Sequence, residues 1–179
     1  MPRALDDPGL DDAERKALAD VSEFGLHVVL VLPEGDTPGW AYSVGLFHNF
    51  SHPEVVVFGL RREVAHHLLN HLADEIRAGN RFEPGGEYPD LLEGVRCTFR
   101  EVSSIWNYPF LGWADWFYEG GEYPVLQCIW PDREQRYPWS DGFPAEWVLM
   151  QPLLFENDPE AARTTRLLQS MGLWRDPPG

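Results

Sequence analysis

The chain reads as a single α+β domain with a mostly antiparallel or mixed sheet of about five strands, a central packed helix, and flanking N- and C-terminal helices. Three observations lead there. The chain has 179 residues, which suits one domain. Its composition, 44% hydrophobic and 24% charged, is that of an ordinary globular protein with enough apolar surface to build a core. Its strand-like runs fall mostly before and after one strongly amphipathic helix. Regular alternation of strands with helices, the mark of a doubly wound sheet, is not what the pattern shows.

The elements follow in order. Asp11 and then Glu14 have the spacing of a helix capping box. A short helix is expected from Asp12 to about Glu23, with Leu18 and Val21 inward and Gly25 as its stop. Residues 26–32 (LHVVLVL) are a near-continuous apolar, β-branched run, which predicts a buried strand. A turn rich in Gly, Asp and Pro leads to a second strand over 40–46 and a third over 53–60. Residues 62–78 form the clearest helix, with Val64, Leu68, Leu69, Leu72 and Ile76 on one face and Gly79 to end it. Residues 80–90, with Pro84, Gly85 and Gly86, predict a polar loop.

The pattern then alternates over 95–102, Val95, Cys97 and Phe99 against Arg96, Thr98 and Arg100, as in a half-buried strand. Residues 106–118 are dense in aromatics and predict a loop with a short helix. Residues 124–130 (PVLQCIW) predict the fifth strand, and the proline-rich stretch 131–157 predicts ordered but irregular chain. Asp158 and Pro159 begin a last helix ending near Gly172. The organisation is thus an acidic N-terminal segment (1–20), an α+β core (21–157) and a C-terminal helix and tail (158–179).

Charge sets limits on partners. Fourteen basic residues stand against 29 acidic ones, a formal net charge of −15. Such a field repels nucleic acid and anionic membrane, and it draws basic proteins in and speeds their encounter. Met1 to Asp12 lacks the apolar stretch of a secretory signal, and no apolar run approaches the roughly 20 residues of a membrane span. A cytoplasmic location is expected. Two cysteines, Cys97 and Cys128, make no disulfide framework and read as buried thiols.

Six segments in order are recognisable: FGLHVVLV from Phe24, AYSVGL from Ala41, HPEVVVFGL from His52, LQCIWPD from Leu126, YPWS from Tyr137 and QPLL from Gln151. Together, over about residues 20–155, they resemble the bacterial family of domain of unknown function 4262. The resemblance implies a class and carries no reaction.

Four groups of residues could carry chemistry. Ser43, His52 and Glu54 contain the residue types of a nucleophile, base and orienter, but Ser43 lies within a strand and lacks the exposing glycine elbow. His67 and His71 share a helix face at zinc-ligand spacing, yet Leu68 stands where a metalloprotease needs glutamate, and no third ligand is evident. No metal and no cofactor is expected. Tyr42, His52, Glu54, Gln127, Trp130, Asp132 and Trp139 could line one binding pocket; alternatively the later members staple the irregular segment to the sheet. Seven aromatics in residues 106–118 exceed what a loop needs to cover a core. Trp113 and Trp116 with Asp115, Tyr118 and Glu119 therefore read as an interface with an acidic rim.

The reading these features favour is a non-enzymatic acidic binding protein, for example an immunity-type protein that neutralises a basic toxin such as a nuclease. The rivals are a small-ligand-binding or hydrolase-like protein with a pocket near Tyr42, His52 and Asp132, and a self-associating structural module. A monomer or a homodimer fits either way.

Overall fold

The computed structural model describes residues 2–3 and 6–155; the helix expected from Asp158 lies outside them. The chain opens with α1 (Asp12–Phe24), whose capping box forms as expected: Asp11 Oδ1 accepts the Glu14 N–H at 2.8 Å, and Glu14 Oε2 accepts the Asp11 N–H at 2.8 Å. Gly25 closes α1 in the left-handed region. Strands β1 (His27–Val31) and β2 (Trp40–Val44) follow, then a short helix α2 (Leu46–Phe50), β3 (Glu54–Phe58) and the long helix α3 (Arg62–Arg77). The second half holds β4 (Glu87–Leu92), β5 (Val95–Glu101), a 3-10 turn (Ser104–Trp106), α4 (Asn107–Phe110), α5 (Gly112–Phe117), β6 (Val125–Ile129) and α6 (Ala145–Val148).

Six strands make one mixed sheet in the order β1-β2-β3-β6-β5-β4. Every neighbouring pair is antiparallel except β3 and β6, which run parallel with Glu54 beside Val125. The sixth strand is β4, where a loop was expected. It contains Pro89 and Asp90, residues that would disrupt a central strand, and it survives because it is outermost and needs no ladder on its far side.

Both faces of the sheet are covered. α3 lays Ala65, Leu68, Leu69, Leu72, Ala73 and Ile76 against Ala41, Val55, Val57, Cys97, Phe99, Leu126 and Cys128. The opposite face, with Tyr42, Val44, Val56, Phe58 and Val125, is covered by Leu18 and Val21 of α1 and by the aromatic segment. Truncating a fully buried leucine such as Leu69 to alanine in such a core costs about 2–5 kcal/mol. β1 is half-buried along its length, where full burial was expected, because it lies at the other edge of the sheet. Among the described residues no helix is long and apolar enough to cross a membrane.

Candidate functional site

Glu54 is the most heavily bonded side chain of the candidate set. It opens β3, is fully buried, and accepts four hydrogen bonds. Ser43 Oγ donates to Oε2 at 2.6 Å; the N–H groups of Gly45 (2.8 Å) and Phe47 (3.2 Å) and the hydroxyl of Tyr118 donate to Oε1. Ser43 Oγ in turn accepts the Val55 N–H at 2.9 Å, in place of the carbonyl the ladder would supply. The carboxylate thus ends the β2–β3 pairing and starts α2. Gly45, at φ +110°, makes the turn, and a Cβ there would lie 2.8 Å from Val21 Cγ1. Burial, and then the charge of Glu54, push the Tyr118 phenol far up, so it stays a neutral donor.

His52 is also fully buried. Its Nδ1 lies 2.8 Å from the Pro53 carbonyl, and Nε2 accepts the Phe82 N–H at 3.2 Å. A backbone N–H can only donate, so the imidazole is neutral with its proton on Nδ1. Burial holds its pKa below the ordinary value, against the Pro53 bond and with the Arg81 charge. A cavity of about 460 Å³ lies alongside, lined by His52, Arg81, Phe82, Glu101 and Val125 among others, with both ring nitrogens already engaged by the backbone.

Two buried glutamines fasten residues 151–154 to β6. Gln127 Nε2 donates to the Pro152 carbonyl at 2.7 Å and Oε1 accepts the Leu154 N–H at 2.9 Å. Gln151 does the same in reverse, accepting the Trp130 N–H at 3.1 Å and donating to the Trp130 carbonyl at 2.8 Å. Trp130 Nε1 donates to the Phe58 carbonyl at 2.8 Å. Asp132 folds the next turn: it accepts the N–H groups of Glu134 and Arg136 and the Arg136 guanidinium at 2.6 Å. Burial alone would raise its pKa, but the Arg136 N–H and guanidinium outweigh that and hold it low. Trp139 is 40% exposed, stacked on Tyr137 and under the Arg100 guanidinium.

These seven residues do not converge. His52 precedes β3 and Asp132 follows β6; the two strands are parallel, so the residues sit at opposite ends of the sheet, roughly 25 Å apart along the strand direction. Tyr42, Glu54 and Gln127 sit on one face and Trp130 packs on the other. The shared pocket around Tyr42, His52 and Asp132 is therefore not assembled, because sequence proximity to strand ends does not say which end. Tyr42 instead accepts the Trp113 N–H at 3.1 Å, and burial pushes its phenol up to about 12.

The aromatic segment divides. Trp106, Phe110, Phe117 and Tyr118 are core, while Tyr108 is 80% exposed. Tyr118 thus turns inward to Glu54 and does not share an outer surface with Glu119. Trp113 and Trp116 are half-buried, edge to face at 5.3 Å, with the Arg3 guanidinium 5.2 Å over Trp116. Asp115 accepts the Tyr123 hydroxyl at 2.5 Å, and Glu119 and Glu122 are exposed nearby. Arg3, Tyr123 and Arg136 were not singled out in the sequence; only Arg136, four residues after Asp132, left a readable spacing.

His66 and His67 are exposed on α3 and His71 is half-buried; among the described residues no group of His, Cys, Asp or Glu is placed to hold a metal ion. Cys97 and Cys128 are buried free thiols, with Cys128 pushed up by its hydrogen bond to Cys97 and by burial.

No curated protein and no solved structure matches the chain. A family model does, over residues 20–144, which takes in β1 to β6 and most of both cores: the chain belongs to the family described as Domain of unknown function (DUF4262).

Proposed function

We propose that the protein is a non-enzymatic binding protein that captures a basic protein on the surface around Trp113 and Trp116. The observation that carries this is the split in the aromatic segment. Trp106, Phe110, Phe117 and Tyr118 are spent on the core, whereas Trp113 and Trp116 stay half-exposed, with the exposed acids Glu119 and Glu122 following within six residues in the chain. Half-exposed tryptophans are anchors, and the acidic rim steers a basic partner and fixes its orientation. The net charge of −15 supports the same partner chemistry. An immunity-type protein that neutralises a basic toxin, such as a nuclease in a bacterial cytoplasm, is the concrete form of the reading.

The polar residues that suggested a catalytic or ligand site support it from the other side. Glu54, His52, Gln127 and Gln151 direct their hydrogen-bonding atoms at the protein's own backbone and hydroxyls. The test is affinity purification from the source cell at low and high salt. A single basic protein should be retained at low salt, released at high salt, and lost with Trp116→Ala. Recovery of no basic protein by the wild type would end the proposal.

A further inference from the structure

The two edges of the sheet are built differently. β4 carries Pro89, exposed Glu87 and Asp90, and a break in register between Tyr88 and Leu92. These are the features that stop an edge from pairing with another chain. β1 has none of them. It holds no proline, lysine or acid, its register with β2 is unbroken from His27 to Val31, all five residues are half-exposed, and Leu32 just beyond is 61% exposed.

The direction of the β1 backbone follows from the ladder. The Gly59 N–H donates to the Gly39 carbonyl at 2.9 Å, so these two form a hydrogen-bonded antiparallel pair. Alternation from that pair turns Ala41 toward β3, and Trp40, Tyr42 and Val44 toward β1. Their partners Val31, Val29 and His27 therefore bond inward. Val28 and Leu30 aim their N–H and C=O groups away from the sheet, and among the described residues no strand meets them.

We propose that this edge pairs antiparallel with β1 of a second copy of the chain, joining the two sheets about a twofold axis at Val29. The strand is complementary to itself. Centring on Val29 sets Val28 opposite Leu30 of the second copy and the reverse, and these are the residues whose backbone groups point outward. The facing side chains are β-branched or aliphatic, the favourable cross-strand kind. Charge selects the second copy over a basic partner here. β1 offers a basic chain no carboxylate, and the nearby Asp20 is already tied to Lys16 at 2.6 Å and His27 at 2.7 Å. Two copies at −15 each can meet along this stretch without opposing acids. The dimer should tighten as salt screens the remaining repulsion, opposite to the capture of a basic protein. It uses the outward backbone groups of Val28 and Leu30 and not Trp113 or Trp116, although the His27 ring lies 6.2 Å from that of Trp113; Trp116→Ala, which should abolish capture, should leave the dimer intact.

The test is sedimentation velocity from about 1 μM to about 200 μM at low and at about 300 mM salt, where the Debye length is short. It is paired with residue-resolved amide exchange at the two concentration limits. The expected result is a monomer–dimer equilibrium that shifts toward dimer with salt, with exchange at Val28 and Leu30 slowed at least about tenfold at high concentration. His27, Val29 and Val31 should be unchanged. Val28→Pro removes an outward N–H and leaves the inward ladder intact, and it should give a monomer; Val28→Thr keeps the N–H and the branching and should still dimerise. A monomer at every concentration would overturn the proposal. So would protection of Val28 and Leu30 that ignores concentration, which would mean that part of the same chain covers the edge, or a dimer that Val28→Pro leaves intact. If Val28→Pro fails to fold, the exchange pattern of the wild type still decides.

Discussion

Among the buried polar groups of the candidate residues, the Glu54 carboxylate should cost the fold most when removed. Glu54→Ala leaves four buried or half-buried donors without their acceptor: the hydroxyls of Ser43 and Tyr118 and the N–H groups of Gly45 and Phe47. An unsatisfied buried donor costs about 1–3 kcal/mol, and because relaxation makes such costs less than additive, the expected loss is about 4 kcal/mol. Glu54→Gln is milder. Its carbonyl can replace Oε1 and keep three donors, but its amide then faces the Ser43 hydroxyl, whose proton loses its partner. That should cost about 1–2 kcal/mol. Urea unfolding followed by tryptophan fluorescence reads both. With a slope of about 2 kcal/mol/M, the midpoint should fall by roughly 2 M for alanine and by roughly 0.5–1 M for glutamine. An alanine variant whose midpoint stays within about 0.3 M of wild type would refute the reasoning, since a dispensable carboxylate cannot be what ends β2–β3 and starts α2.

Three further outcomes follow from the same structure. His52 is neutral in the fold and its pKa is lowered, so below about 6.5 the unfolded chain binds a proton that the folded chain does not, and stability falls by up to about 1.4 kcal/mol per pH unit. Above that pH the term is flat; midpoints measured from pH 8 to 5 should show this component in the wild type and lose it in His52→Gln. Gln127→Leu strands the Leu154 N–H and the Pro152 carbonyl, costing about 2–4 kcal/mol, and amide exchange at Leu154 should accelerate more than tenfold. Gly45→Ala forces a side chain into the left-handed region and against Val21, and should lower the melting temperature by about 4–8 °C for a loss of about 2 kcal/mol.

Much of the fold was legible because local signals and tertiary position agree there. The Asp11/Glu14 box, the Gly25 stop, the apolar runs of β1, β2 and β3 and the inward face of α3 all read directly from the residues. β4 was hidden because Pro89 and Asp90 are tolerated only on an edge, and being an edge is settled by the whole sheet. α2 was hidden because its first turn is organised by a carboxylate that comes later in the chain. The candidate residues were recognisable by type but not by role. His52 and Gln127 bond to the backbone of Phe82, Pro152 and Leu154, 25 or more residues away, and no spacing announces such partners. The parallel pairing of β3 with β6 is what sends His52 and Asp132 to opposite ends.

If capture is as proposed, the buried polar residues are architecture and recognition happens at Trp113 and Trp116. Amide exchange of the protein with and without the basic partner captured at low salt tests it most directly. Protection confined to residues 112–119 and their immediate surroundings is the predicted result. Protection centred on the cavity beside His52, or on the turn at Asp132, would contradict it.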